Sequence, residues 1–82
     1  MTKKHFIMMA IEFGELWREA DRYPDRPNFE ATIQNAQNRV MSVCKRSNPR
    51  FDRDHFDGFV QEIRRYERDL DGKKIKRASV TA

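Results

Sequence analysis

Asp52, Asp54, His55 and Asp57 crowd oxygen and nitrogen donors into one short stretch, so metal binding is the first chemistry to test. An EF-hand loop counted from Asp52 needs glycine at its sixth position and glutamate at its twelfth. The sixth is Asp57, and no glutamate stands at the twelfth. A zinc centre needs further ligands, but the only other histidine is His5, near the N-terminus, and Cys44 is the single cysteine. No nucleophile with its base, glycine-rich phosphate loop or paired catalytic carboxylates can be read along the chain. The residues therefore point away from an enzyme and imply no metal and no cofactor. The acids are expected as helix-start residues, where the helix dipole favours negative charge.

The basic residues offer a second chemistry, contact with nucleic-acid phosphates. Net charge is +4 over 82 residues, yet residues 1–72 hold thirteen basic and thirteen acidic side chains and sum to zero. The excess lies in Lys73, Lys74, Lys76 and Arg77, within a short basic tail expected to be disordered. Arg39, Lys45, Arg46, Arg50 and Arg53 form a basic corner opposed only by Asp52. These nine residues are the candidate phosphate contacts of a helical nucleic-acid-binding protein. Against that reading, the helix that would enter a groove opens with Asp52, Asp54 and Asp57, and the neutral body lacks a broad basic footprint.

The elements that position these residues follow from Ser47-Asn48-Pro49-Arg50-Phe51-Asp52-Arg53-Asp54-His55-Phe56. Proline disfavours the α conformation for the residue before it, so an incoming helix should stop near Ser47 or Asn48. Asp52 can cap the next helix, and Phe51 with Phe56 has the spacing of a hydrophobic staple. Upstream, Pro24 and Pro27 break the chain into a stiff loop. The second helix should start near Asn28, or be capped by Asp25 with Pro27 in its first turn. Gly72 is placed to end the third as its C′ residue. The expected fold is all-α, a three-helix domain over residues 1–72 with helices at about 4–23, 28–47 and 53–71, followed by the tail 73–82.

Helix faces give the candidate partner surfaces. Phe6, Met9, Ala10, Phe13, Leu16, Trp17 and Ala20 recur at helical spacing and define a core face. Ile7, Met8 and Ile11 widen the apolar arc beyond it. That strip is either wrapped within the monomer or is a surface for a partner or a homodimer. The second helix places Phe29, Ile33, Ala36, Val40, Val43 and Cys44 in its core stripe, with Cys44 a buried thiol. Its other face carries Thr32, Gln34, Asn35, Gln37, Asn38 and Ser42, either a solvated surface or one that can lie against a partner without burying charge. The third helix is expected to bury Phe56, Phe59, Val60, Ile63, Tyr66 and Leu70.

Nothing approaches the ~20 apolar residues of a membrane span. Glu12 and Glu15 interrupt the apolar run after Lys3 and Lys4 too early for a signal peptide. The expected compartment is the cytoplasm, with no membrane association.

Asn48-Pro49-Arg50-Phe51-Asp52-Arg53-Asp54-His55-Phe56 resembles the Asn-Pro-Arg-Phe-Asp-Arg-x-x-Phe segment near the C-termini of small, mostly uncharacterised phage and prophage proteins. Lys3-Lys4-His5-Phe6 is similar to the aromatic N-terminal segment of the same proteins. The resemblance covers about a quarter of the chain and departs after Phe56, where those proteins usually finish within a few residues. It implies a mobile-element origin, no catalytic residues and a bacterial host cytoplasm. The expected activity is that of a non-catalytic accessory protein that binds and modulates a host or phage protein, as anti-defence (anti-CRISPR-like) and host-takeover inhibitors do. Its motif residues carry over as cap and staple, and a target surface is expected elsewhere, on helix 1 or the tail. Ile7, Met8, Ile11, Gln34 and Asn38 are the candidate partner-binding residues.

Overall fold

Three helices account for the architecture in a computed structural model, which describes residues 3–75. They are α1 (Lys3–Arg22), α2 (Pro27–Ser47) and α3 (Arg53–Arg64). No strand is present among the described residues, only an isolated antiparallel bridge between Arg68 and Lys74. Lys76 and Arg77 of the expected tail lie outside the described residues. α1 packs most extensively on α3, less on α2, and α2 meets α3 least. The close α1–α3 approach rests on Gly14, since a methyl group built there would overlap the side chain of the fully buried Ile63.

The Pro49 turn forms as its chemistry dictates. Asn48 takes an extended conformation and its side chain accepts from the Arg50 N–H at 3.0 Å. Asp52 accepts from the His55 N–H at 3.1 Å, and the Phe51 and Phe56 rings stand 5.5 Å apart as the staple. The start of α2 differs from both expected caps. Pro27 opens the helix, and Arg26 occupies the cap position without a side-chain hydrogen bond. Proline tolerates this because it has no N–H to satisfy and its φ is already helical.

α2 is rotated relative to its expected stripe. Ile33, Gln37, Met41 and Cys44 are the buried positions, while Ala36 and Val43 face outward. Gln37, expected on the outward amide face, is 0% exposed. A buried amide is tolerable only if its polar atoms are paired. Trp17 donates to its oxygen at 2.9 Å, and its nitrogen donates to Asp57 at 2.8 Å.

α3 ends about two turns sooner than expected. Tyr66 adopts a left-handed φ of 61°. Its N–H donates to the Ile63 carbonyl and that of Glu67 to the Glu62 carbonyl, the paired bonds of a Schellman motif. Tyr66 thus does what was expected of Gly72. Arg18 of α1 fixes this stop by donating to the carbonyls of Ile63 (2.6 Å) and Arg68 (3.1 Å), with its guanidinium 3.9 Å from the Tyr66 ring centre. Tyr66 and Leu70, expected in the core, are consequently about half exposed, at 50% and 48%.

Beyond that stop the chain folds back on itself. Asp69 N–H donates to the Lys73 carbonyl, Ile75 N–H to the Glu67 carbonyl, and Gly72 sits at the bend with φ 86°. The bend lies over α1 and α3, where a side chain on Gly72 would meet Phe59, Ile11 and Ile7.

Candidate functional site

The N-terminal end of α1, the Pro49 turn and the first turns of α3 enclose a groove of about 430 Å³. Phe6, Ile7 and Ala10 form one wall from α1, and Phe51, Phe56 and Phe59 form the other. The aromatic packing explains the shape. Phe6 stands edge-on to Phe51 at 4.9 Å, so the two walls touch at that point, and Phe13 packs edge-on against Phe56 at 6.4 Å, which fixes the ring from the α1 side.

The rim is polar, with three cations against one carboxylate. Lys3, Arg50, His55 and Arg68 line it with Asp52 and Asn48. Asp52 is committed to the cap of α3, and Arg68 is tied to Glu62 at 3.4 Å and to the Gly72 carbonyl at 2.6 Å. Among the described residues, neither the Lys3 ammonium nor the Arg50 guanidinium has an ion-pair partner. Lys3 and Lys4 also occupy the first turn of α1, which carries no acid. The helix dipole is positive there, so Lys3 adds to a positive field at the groove mouth that Asp52 alone opposes in the lining.

No protein family, no curated protein and no solved structure matches this chain. The site is therefore described by its own chemistry. Its polar lining residues carry charge and donors, and its one carboxylate is held by a backbone N–H. The arrangement suits a ligand with a bulky apolar group and negative charge beside it.

The expected partner residues separate. Ile7 lines the groove and Ile11 lies beneath the Gly72 bend; both are half-buried against the core. Met8 is 54% exposed and lies outside the groove lining. Gln34 donates to Asn38 at 3.0 Å on the exposed side of α2, away from the groove residues.

The basic set is divided as well. Lys45 donates to the carbonyls of Pro49 and Phe51, closing the turn, and Arg53 donates to the Ser42 hydroxyl at 2.7 Å. Arg39 bonds to Asn35, and Arg46 is exposed. Arg50 alone of this corner lines the groove. Lys73 is exposed in the bend, and Lys74 pairs with Glu62.

Sequence reasoning missed the groove as a unit. Lys3, Phe6 and Arg68 join the Pro49 turn only through tertiary packing. One local signal pointed there, the pair of lysines at a helix start that the dipole disfavours.

Proposed function

We propose that this chain is a non-catalytic protein-binding module, a phage or mobile-element accessory protein that docks on a host or phage protein and modulates it. The observation that carries this reading is the groove of aromatic and aliphatic side chains between α1 and the Pro49 turn, with Lys3 and Arg50 at its rim. Such a surface offers anchor pockets for large side chains, the part of an interface that supplies most of its binding energy. The mobile-element origin, the bacterial cytoplasm and an anti-defence or host-takeover role rest on the Asn48–Phe56 resemblance. The nucleic-acid alternative is weakened because Lys45 and Arg53 satisfy groups of the turn and of α2.

The test pairs a pull-down from bacterial lysate with a duplex-DNA titration at two salt concentrations. Wild type should retain a saturable protein partner that an Ile7→Glu variant of unchanged circular dichroism loses, and should bind DNA weakly. Tight, salt-sensitive DNA binding that disappears on deleting residues 73–82 would favour the nucleic-acid reading instead.

A further inference from the structure

We infer that the groove between α1 and the Pro49 turn receives an acidic peptide segment of the partner, with a large apolar side chain inserted between Phe6 and Phe59 and carboxylates reaching Lys3 and Arg50. This rests on the reading of the chain as a protein-binding module and names the chemistry of its partner.

Shape and charge complementarity carry the inference together. The volume of about 430 Å³ accepts bulky side chains but is walled on one side by a helix and on the other by a turn, which suits a single inserted segment. The anchor would rest on Phe6, Ile7, Ala10, Phe51, Phe56 and Phe59, a floor without a charged atom. An anchor alone would leave the rim unexplained. Lys3 and Arg50 stand at the mouth without an ion-pair partner among the described residues, and the positive end of the α1 dipole adds to them. Carboxylates flanking the anchor would relieve this like-charge accumulation and would also steer the approach.

Two other occupants fit less well. The chain's own residues 76–82 begin with Lys76 and Arg77 and carry no acid, so they would bring like charge to the rim. A second copy could offer the acidic side of α1, where Leu16 lies between Glu15 and Glu19, but that leucine is only 37% exposed and sits on a formed helix rather than on a segment that can be inserted.

Selection from a library of displayed random peptides against the immobilised full chain tests this directly. Enriched peptides should place Asp or Glu beside Phe, Trp or Leu. A fluorescein-labelled peptide of the enriched sequence should bind wild type, weaken as salt rises, and lose about tenfold or more in affinity with Lys3→Glu/Arg50→Glu. Both of those positions are exposed, so the fold should survive, as circular dichroism will report. Ile7→Glu should abolish binding, and deletion of residues 76–82 should leave it unchanged.

Failure to enrich any peptide, or enrichment of basic ones, would overturn the inference. So would binding that the charge reversal leaves intact, although peptides bound elsewhere would leave the protein-binding reading standing. A deletion that raises affinity about tenfold would assign the groove to the chain's own tail. Self-association that the charge reversal abolishes, seen by analytical ultracentrifugation, would assign it to a second copy.

Discussion

Trp17 of α1 donates its indole N–H to the side-chain oxygen of Gln37 on α2 at 2.9 Å. The amide nitrogen of the same glutamine donates to Asp57 of α3 at 2.8 Å. One fully buried amide therefore links three helices, and it holds α2 in register although α2 meets α3 least of all.

Replacing Gln37 with leucine keeps the volume roughly but leaves the buried indole N–H without an acceptor. The expected loss is about 2 kcal/mol of unfolding free energy, read from urea denaturation followed by Trp17 fluorescence. An unchanged midpoint would mean that water or a shifted neighbour satisfies the indole.

How far the chain could be read in advance depended on the range of the interaction. The Pro49 turn was legible because each of its signals acts within a few residues: Asp52 caps its own helix and Phe51 packs on Phe56. Three helices in an all-α fold were legible from periodicity and proline breaks. Gln37 was not, because nothing local distinguishes it from Gln34 or Asn38; only Trp17 and Asp57, twenty residues away on either side, make its burial tolerable. Tyr66 was missed because tyrosine rarely takes a left-handed φ, and the contact that favours it comes from Arg18. The groove depends on packing in the same way, since its walls come from α1 and from residues about forty positions later.

Gly14 and Gly58 should respond in opposite directions to the same substitution. A methyl group at Gly14 overlaps Ile63, which is fully buried and has nowhere to move. Gly14→Ala should therefore cost about 2 kcal/mol despite the better helix propensity of alanine. Gly58 faces open space on α3, and Gly58→Ala should stabilise by up to about 1 kcal/mol. Thermal unfolding of the two variants checks the pair.

Arg18 and Tyr66 should be coupled. Arg18→Ala removes two hydrogen bonds to carbonyls at and beyond the end of α3, for an expected loss of about 2 kcal/mol. Arg18→Lys should not restore it, because a single ammonium cannot reproduce the fork and the stacking on the ring. Tyr66→Gly should cost less stability in the Arg18→Ala background than in wild type, since the guanidinium contact of the ring is already gone there while the backbone cost of its left-handed φ is relieved in both. A double-mutant cycle that proves additive would contradict the coupling.

Acid should loosen the chain at two places. Arg64 hydrogen-bonds the Asp21 carboxylate at 2.8 and 3.0 Å and holds it below the usual carboxylate range, opposed by burial and aided by the charge of Arg64. The Lys74 hydrogen bond does the same for Glu62, opposed by burial and aided by the charge of Arg68. Both folded-state values are depressed, so the associated stability is present above the ordinary carboxylate pKa. It is lost as pH falls through the lower folded values. Arg64→Gln and Lys74→Gln should each lower the neutral plateau of a stability–pH curve and so flatten its acid limb, with variant and wild-type curves converging at low pH. The effect at Asp21 should be the smaller for its exposure, 44% at the side chain, because solvent screens the pair.

The central claim is that the groove between α1 and the Pro49 turn binds an acidic, apolar-anchored segment. Its most direct measurement is an amide chemical-shift titration of the full chain with a selected acidic peptide. The account predicts saturable shifts that concentrate at Ile7, Ala10, Phe51, Asp52 and His55 and vanish in Lys3→Glu/Arg50→Glu. Shifts confined to Gln34 and Asn38 or to Met8, or shifts that survive the charge reversal, would contradict it.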